Sequence, residues 1–403
     1  VALLSVADAL ARVLEGAVPL PAERVALDNA DGRVLAEDIA ALRSQPPDDV
    51  SAMDGYAVRA ADVASAPARL KLIGEVAAGR PFTGTVGPGE AARIFTGGVL
   101  PAGSDTVVIQ ENTTREGDFA VVSTAASKGK NVRPAGLDFR KGHVGLRAGR
   151  RLTGRDLSLA AAMNHPALPV HRRPKIAIVA TGDELVPPGT DPGPGQIIHS
   201  NIFSLAAVAR REGAEVIDLG ILPDRLEETI AGVRRAREAG ADVLLTAGGA
   251  SVGDYDLVQP ALAAEGLALS FWKVAVRPGK PLLSGRLGPM RVLGLPGNPV
   301  SAYVCSVLFL VPLIRRLCGR ADLASAMGWG VLGRDLPAND ERADYLRATL
   351  KRGADDTLVA TPFPMQDSSM LVLLAAADCL VVRQPFAPAA PAGTRCNFVK
   401  LDD

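Results

Sequence analysis

Three short loops carry the residues best suited to binding an anion, and each follows an apolar run. In Ala180-Thr-Gly-Asp-Glu-Leu, Thr181 and Gly182 favour a sharp turn that presents amides, and Asp183 and Glu184 follow. In Ala247-Gly-Gly-Ala-Ser-Val-Gly-Asp-Tyr-Asp, Gly248 and Gly249 let a ligand approach the backbone, and the amides leading to Ser251 suit an oxyanion nest. Asp254 and Asp256 lie just beyond and suit a hard cation. In Gly294-Leu-Pro-Gly-Asn-Pro-Val-Ser, Pro296 and Asn298 lead into an apolar helix whose first amides, near Ser301, suit an anion. A Gly-Gly after a strand is a common turn, so no single loop is diagnostic; three in one unit favour a ligand site.

Further charged residues lie outside these loops. Trp272-Lys-Val-Ala-Val-Arg-Pro-Gly-Lys-Pro places Lys273, Arg277 and Lys280 along one strand and its turn. They suit a phosphate or another tetrahedral anion, and read equally as solvated edge charges. Ser51-Ala-Met-Asp-Gly-Tyr with Asp54, Thr96-Gly-Gly, and Asp138 in Ala135-Gly-Leu-Asp-Phe are ambiguous when read alone. No string matches G-x-G-x-x-G or a Walker loop, which disfavours dinucleotide and P-loop readings.

Composition narrows the class. The 403 residues balance 44 basic against 44 acidic side chains, and aromatics are 4%. Neither counterion release nor base stacking then supports nucleic-acid binding. Cys305, Cys318, Cys379 and Cys396 form no C-x-x-C pair, so a zinc site is not expected and a reducing cytoplasm is. His143, His165, His171 and His199 form no metal motif. The N-terminal stretch lacks the pattern of a signal peptide. The longest apolar run, Val300 to Ile314, is broken by Pro312 and is expected to be a buried helix, with no membrane association.

These loops need a scaffold to position them. Apolar runs starting near Lys175, Glu215, Val243 and Arg291 alternate with helical stretches at 201–212 and 226–239, which predicts a parallel, doubly wound α/β unit over 172–322. Ligands of such units bind at the carboxyl ends of the strands. Short β-prone runs separated by glycine and proline predict a mostly-β unit at 45–139, with a basic, glycine-rich link starting at Lys128. A return to β signals predicts a small C-terminal β unit at 323–403. A helix capped by Ser5, an Asp31-Gly32 hairpin signal between apolar runs, and a helix starting at Thr153 occupy the remaining segments, 1–44 and 140–171.

Ser-Ala-Met-Asp-Gly-Tyr-Ala, Thr-Gly-Asp-Glu-Leu, Gly-Gly-x-Ser-Val-Gly, Pro-Gly-Lys-Pro and Leu-Pro-Gly-Asn-Pro-Val-Ser occur together and in order. In this the chain resembles the molybdopterin molybdenumtransferase family, which includes bacterial MoeA and the E-domain of gephyrin-like proteins. The resemblance spans essentially the whole chain. It implies that 1–44 and 140–171 form a linker domain and 45–139 an inserted domain. It also implies a homodimer whose cleft lies between the α/β unit of one subunit and the inserted unit of the other.

The implied reaction is Mg²⁺-assisted insertion of molybdate into adenylylated molybdopterin, with release of AMP. By motif, Asp54, Thr96 and Asp138 fall on the inserted side of the cleft, and Glu184, Asp224 and Asp256 on the α/β side. Asp224 and Asp256 are the implied Mg²⁺ ligands. Thr181, Gly248, Gly249, Ser251, Lys273, Arg277, Lys280, Pro296, Asn298, Ser301, Arg347 and Ser368 are the implied substrate-binding residues. The adenylyltransferase of the preceding step and downstream molybdoenzyme maturation proteins are the implied partners.

The chain departs from the family's pattern at Leu137 and His199, where acidic residues are frequent, and at Asp367 and Ser369, where glycines are common. Asp367 brings negative charge close to an implied anion site. Two other readings remain: an adenylyltransferase, which resembles the α/β unit alone, and a non-catalytic scaffold.

Overall fold

A computed structural model of the chain describes residues 3–248 and 257–401. Its framework is three six-stranded sheets, one in each of three successive units, with small two-stranded sheets linking them.

The α/β unit orders its strands Glu215–Leu222, Lys175–Thr181, Val243–Ala247, Met290–Leu295, Leu283–Leu287 and Ala268–Phe271. The first four run parallel. Alternate residues of the central strands feed two cores. Ile176, Ile178, Val243 and Leu245 pack against the helix Asn201–Arg211 and the apolar helix after Asn298. Ala177, Val179 and Leu244 pack against the helices Leu226–Glu238 and Val258–Ala264.

Two details correct the sequence reading of this unit. The sheet is mixed, because Leu283–Leu287 runs antiparallel to Met290–Leu295. Only Gly288 and Pro289 separate the paired residues Leu287 and Met290, and a parallel pairing needs a far longer crossover. Nor does Pro312 break the apolar helix, which runs on from Pro299 to Leu317. A π turn at Ser306–Leu310 precedes the proline, relaxing the i→i−4 ladder where proline has no N–H to give. This 19-residue helix is long and apolar enough to cross a membrane, but 78% of its apolar window is buried in the protein core.

Ser5 caps the helix Val6–Leu14 by accepting the Asp8 amide at 3.1 Å. Ala9 and Val13 of that helix join the α/β core, and the Ala275 amide donates to the Leu4 carbonyl at 2.7 Å. The first helix therefore docks on the α/β unit, whereas the 1–44 grouping placed it with 140–171. The expected hairpin is also absent. Gly32 does turn, at φ +69°, yet the strand before it, Ala22–Ala26, pairs with Ala167–His171, and Leu35 after it bridges Val170. A lone two-stranded hairpin is marginal in water. The observed pairing instead buries Leu35, Met163, Leu168 and Val170 in one core.

The inserted sheet orders Thr106–Ile109, Gly55–Val58, Glu90–Ile94, Ala68–Val76, Phe119–Val122 and Thr113–Glu116. The C-terminal unit is a closed barrel: Ala343–Arg352, Leu358–Pro362, Met327–Leu332, Arg395–Lys400 and Cys379–Arg383, the last pairing back to the first. Closure leaves these five strands without a free edge. A sixth strand, Val276–Arg277 of the α/β unit, pairs with Ala343 and Asp344 and ties the two units together.

Candidate functional site

Parallel strands end their loops on one rim, and here the rim gathers three of them. After Lys175–Thr181, the Gly182 amide donates to the Leu222 carbonyl at 3.2 Å, holding the Thr181 turn beside the end of the neighbouring strand. Gly182 has φ +148°, and a Cβ there would stand 2.3 Å from the Glu184 carboxylate. The Asp224 amide donates to Asp183 Oδ1 at 3.1 Å and the Asp183 amide to Asp224 Oδ2 at 3.4 Å. The Gly248 amide donates to Leu295 at 3.2 Å, and Asn201 Nδ2 to Gly297 at 2.8 Å. Thr181, Gly182, Asp224, Gly248, Pro296 and Asn298 thus share the rim, with Glu184 exposed beside it. Gly249, Ser251, Asp254 and Asp256 lie outside the described residues.

The barrel supplies a fourth loop. Asn298 Nδ2 donates to Ser368 Oγ at 2.9 Å, and the Val300 amide donates to the Ser368 carbonyl at 3.1 Å. Arg347 holds this loop from beneath. It is 1% exposed, and its nitrogens donate to the Met370 carbonyl at 3.1 Å, the Asp367 carbonyl at 2.9 Å and Gln366 Oε1 at 3.4 Å. Burial lowers its pKa. Arg347 is therefore placed as a positioning residue, without a nitrogen turned to solvent. Asp367 Oδ1 accepts from the Ser369 amide at 2.8 Å and the Ser369 hydroxyl at 2.6 Å. These bonds hold its pKa below the ordinary value. The two departures in this loop thus satisfy each other.

Of the three cations Lys273, Arg277 and Lys280, Arg277 alone has an ion pair among the described residues. Arg277 lies 2.6 Å from Asp340 and 3.0 Å from Asp344, although its Nε–H is not aligned for a hydrogen bond to Asp344. Burial raises the Asp344 pKa; the Arg342 amide and side chain, with Arg277, bring that of Asp340 down to about 2. Lys273 lies over the Trp272 ring at 5.5 Å, and Lys280 is exposed. Ser301 is 5% exposed, inside the helix Pro299–Cys305, which removes its hydroxyl from the open rim. Gly279, at φ +114°, brings the Pro278–Lys280 turn so close that a Cβ would lie 2.3 Å from Cys305 Sγ.

On the inserted unit, Asp54 and Thr96 form one device. Asp54 Oδ1 accepts the Thr96 amide at 2.7 Å and its hydroxyl at 2.8 Å, which lowers the Asp54 pKa; Arg93 adds to the effect. Asp138 is exposed, its amide bonded to the Gln45 carbonyl at 3.0 Å. The hydrogen bonds of these three residues stay within their own part of the chain. His199 is 7% exposed, its pKa lowered by burial.

Among the described residues, no three His, Cys, Asp or Glu side chains converge as a metal cage. Sequence reasoning missed Gln366, Asn201, Asp340 and Asp344. None stands in a motif with chemistry of its own; only the folded contacts reveal them.

Comparisons with known proteins agree along the chain's length. Residues 4–164 match the MoeA N-terminal region (domain I and II), 177–316 a probable molybdopterin binding domain, and 330–401 the MoeA C-terminal region (domain IV). The molybdopterin molybdenumtransferase of a Nostoc species is 40% identical over 329 residues, covering 79% of this chain and 73% of its own. That of Bacillus subtilis is 35% identical over 381 residues, covering 93% and 86%. The crystal structure of a molybdopterin biosynthesis MoeA protein from Pyrococcus horikosii superposes with TM-score 0.87 at 30% identity, covering 100% of both chains.

Proposed function

Because the chain belongs to the molybdopterin molybdenumtransferase family, we propose that its strand-end rim inserts molybdate into adenylylated molybdopterin and releases AMP. The chain is a transferase of molybdenum cofactor biosynthesis. The observation that carries the site assignment is the meeting of the Thr181, Gly248 and Asn298 loops with Ser368 of the barrel.

Asp183 and Asp224 each give one carboxylate oxygen to the other's amide and keep a second. Two adjacent hard oxygen donors fit Mg²⁺, which takes one or two carboxylates and fills its octahedron with phosphate and water. Bound there, the ion would shield the pyrophosphate and polarise the phosphoryl group.

The chain's own residues bind and orient. Molybdate, as substrate, is a tetrahedral dianion. Lys273 and Lys280 have no ion-pair partner among the described residues, and with the Ser368 hydroxyl they supply charge and a donor. Arg277, already faced by Asp340 and Asp344, adds less net charge and fixes the short strand Val276–Arg277 that the two lysines flank. Thr181 and Gly248 let the substrate approach the backbone. Glu184 and Asp138 stand as exposed carboxylates available to move a proton.

A second copy of the chain would bring Asp54, Thr96 and Asp138 to the rim, completing the cleft in a homodimer. The functional units are then a linker (1–44 and 140–171), an inserted domain (45–139), an α/β domain (172–322) and a C-terminal domain (323–403), with the first helix serving the α/β core. Four buried free thiols suit a cytoplasmic setting, next to the enzymes that supply the adenylylated pterin and use the product.

The test is incubation of the full chain with adenylylated molybdopterin, Mg²⁺ and molybdate, following AMP. Molybdate-dependent release is expected. ATP-dependent adenylylation in its place would make the chain the preceding enzyme.

A further inference from the structure

The inserted unit carries a groove of about 1050 Å³ that the reaction above does not use. Small side chains line it, among them Ala60, Ala64 and Ala125. Lys128, Lys130 and Asn131, from the basic, glycine-rich link, line it as well, and both lysines are exposed. No carboxylate lines it, and neither lysine has an ion-pair partner among the described residues. Gly129, at φ +78°, makes the turn between the lysines, and its amide donates to the Asp105 carbonyl at 2.9 Å.

The groove is joined to the Asp54 turn. The Ala52 amide donates to the Asn131 carbonyl at 2.9 Å, and Asn131 Nδ2 donates to the Val107 carbonyl at 2.9 Å. The Gln110 amide, one residue beyond the groove strand Thr106–Ile109, donates to the Asp54 carbonyl at 3.1 Å. A ligand in the groove would therefore lie beside the backbone of the Asp54 turn, which the proposed homodimer would bring to the partner's rim.

We propose that this groove binds a phosphorylated small molecule of nucleotide size, its phosphate held by Lys128 and Lys130. Two unneutralised ammonium groups suit a phosphate dianion, and small apolar walls with a few amides and hydroxyls suit the body of a nucleotide. The choice of nucleotide rests on the proposed function, in which an adenylyl group enters and AMP leaves.

The probe is AMP, titrated calorimetrically into the full chain and into three variants. Lys128→Ala/Lys130→Ala removes both exposed charges. Ala125→Phe fills the groove without changing charge, and Lys141→Ala removes an exposed charge outside it. AMP binding is expected to weaken by about tenfold for each lysine removed. It should also weaken in Ala125→Phe and hold in Lys141→Ala. Wild-type affinity in the double variant, or no AMP binding by the wild type, overturns the assignment. Lysine-dependent AMP binding without molybdate-dependent AMP release keeps the groove and removes the proposed reaction. Normal release with lysine-independent AMP binding removes the groove alone.

Discussion

Asn298 of the α/β unit and Ser368 of the barrel hydrogen-bond across the boundary between their units, Nδ2 to Oγ at 2.9 Å. The Val300 amide fixes the same serine through its carbonyl at 3.1 Å. One residue thus joins two units and presents its hydroxyl at the rim.

Replacing that hydroxyl separates joining from binding. Ser368→Ala keeps the backbone bond to Val300 and loses the side-chain bond, a loss of about 1 kcal/mol in stability. The molybdate requirement should rise about tenfold. AMP release against molybdate concentration measures this, and an unaltered dependence removes Ser368 from the anion site.

Arg347 should behave as a structural anchor. Arg347→Ala removes the guanidinium that ties Gln366 Oε1 and the Asp367 and Met370 carbonyls together, leaving each acceptor only a backbone amide donor. A fall in stability of about 2–4 kcal/mol is expected. Arg347→Lys should fail to restore it, because an ammonium cannot span the fork geometry. Thermal denaturation of the three proteins decides; a stable alanine variant that has lost only molybdate affinity would assign Arg347 to binding.

The Asp54–Thr96 device has a pH signature. The Asp54 pKa is lowered, so its contribution to stability is present above the ordinary carboxylate value and is lost as pH falls through the depressed one. Thr96→Val keeps the amide donor and removes the hydroxyl, so the titration should move part of the way back up. Carboxyl-carbon NMR of Asp54 across the acid range follows it; an unmoved titration rejects the role of the hydroxyl.

The four cysteines should be silent. Burial pushes Cys305 and Cys379 up to about 12 and Cys318 to about 11, and raises Cys396 as well. Near pH 8, the thiolate fraction at Cys318 is then only about one in a thousand. A thiol reagent should label none in the native protein and all four after denaturation. Rapid native labelling would show that the barrel or the helix Pro299–Cys305 opens readily.

Much of this was legible in local sequence because its causes are local. Continuous apolar runs marked Lys175–Thr181 and Val243–Ala247, whose residues are buried on both faces. Ser5 and Thr153 marked helix starts through their own side chains. The Asp31-Gly32 signal was misleading because a turn dictates where the chain reverses, while burial decides which strand it meets. Pro312 misled because the π turn that accommodates it depends on packing around the whole helix.

The sequence by itself determined the order of elements, the glycines and capping residues that bend the chain, and the residues able to hold an anion or a cation. These follow from backbone sterics and side-chain chemistry within a few residues. Only the tertiary structure decided that Asp340 and Asp344 face Arg277 while Lys273 and Lys280 have no such partner among the described residues, that Arg347 is buried under the loop it supports, and that Asn298 reaches Ser368. Those relationships join residues up to 70 positions apart, and they exist because the barrel closes on itself and docks its first strand against Val276–Arg277.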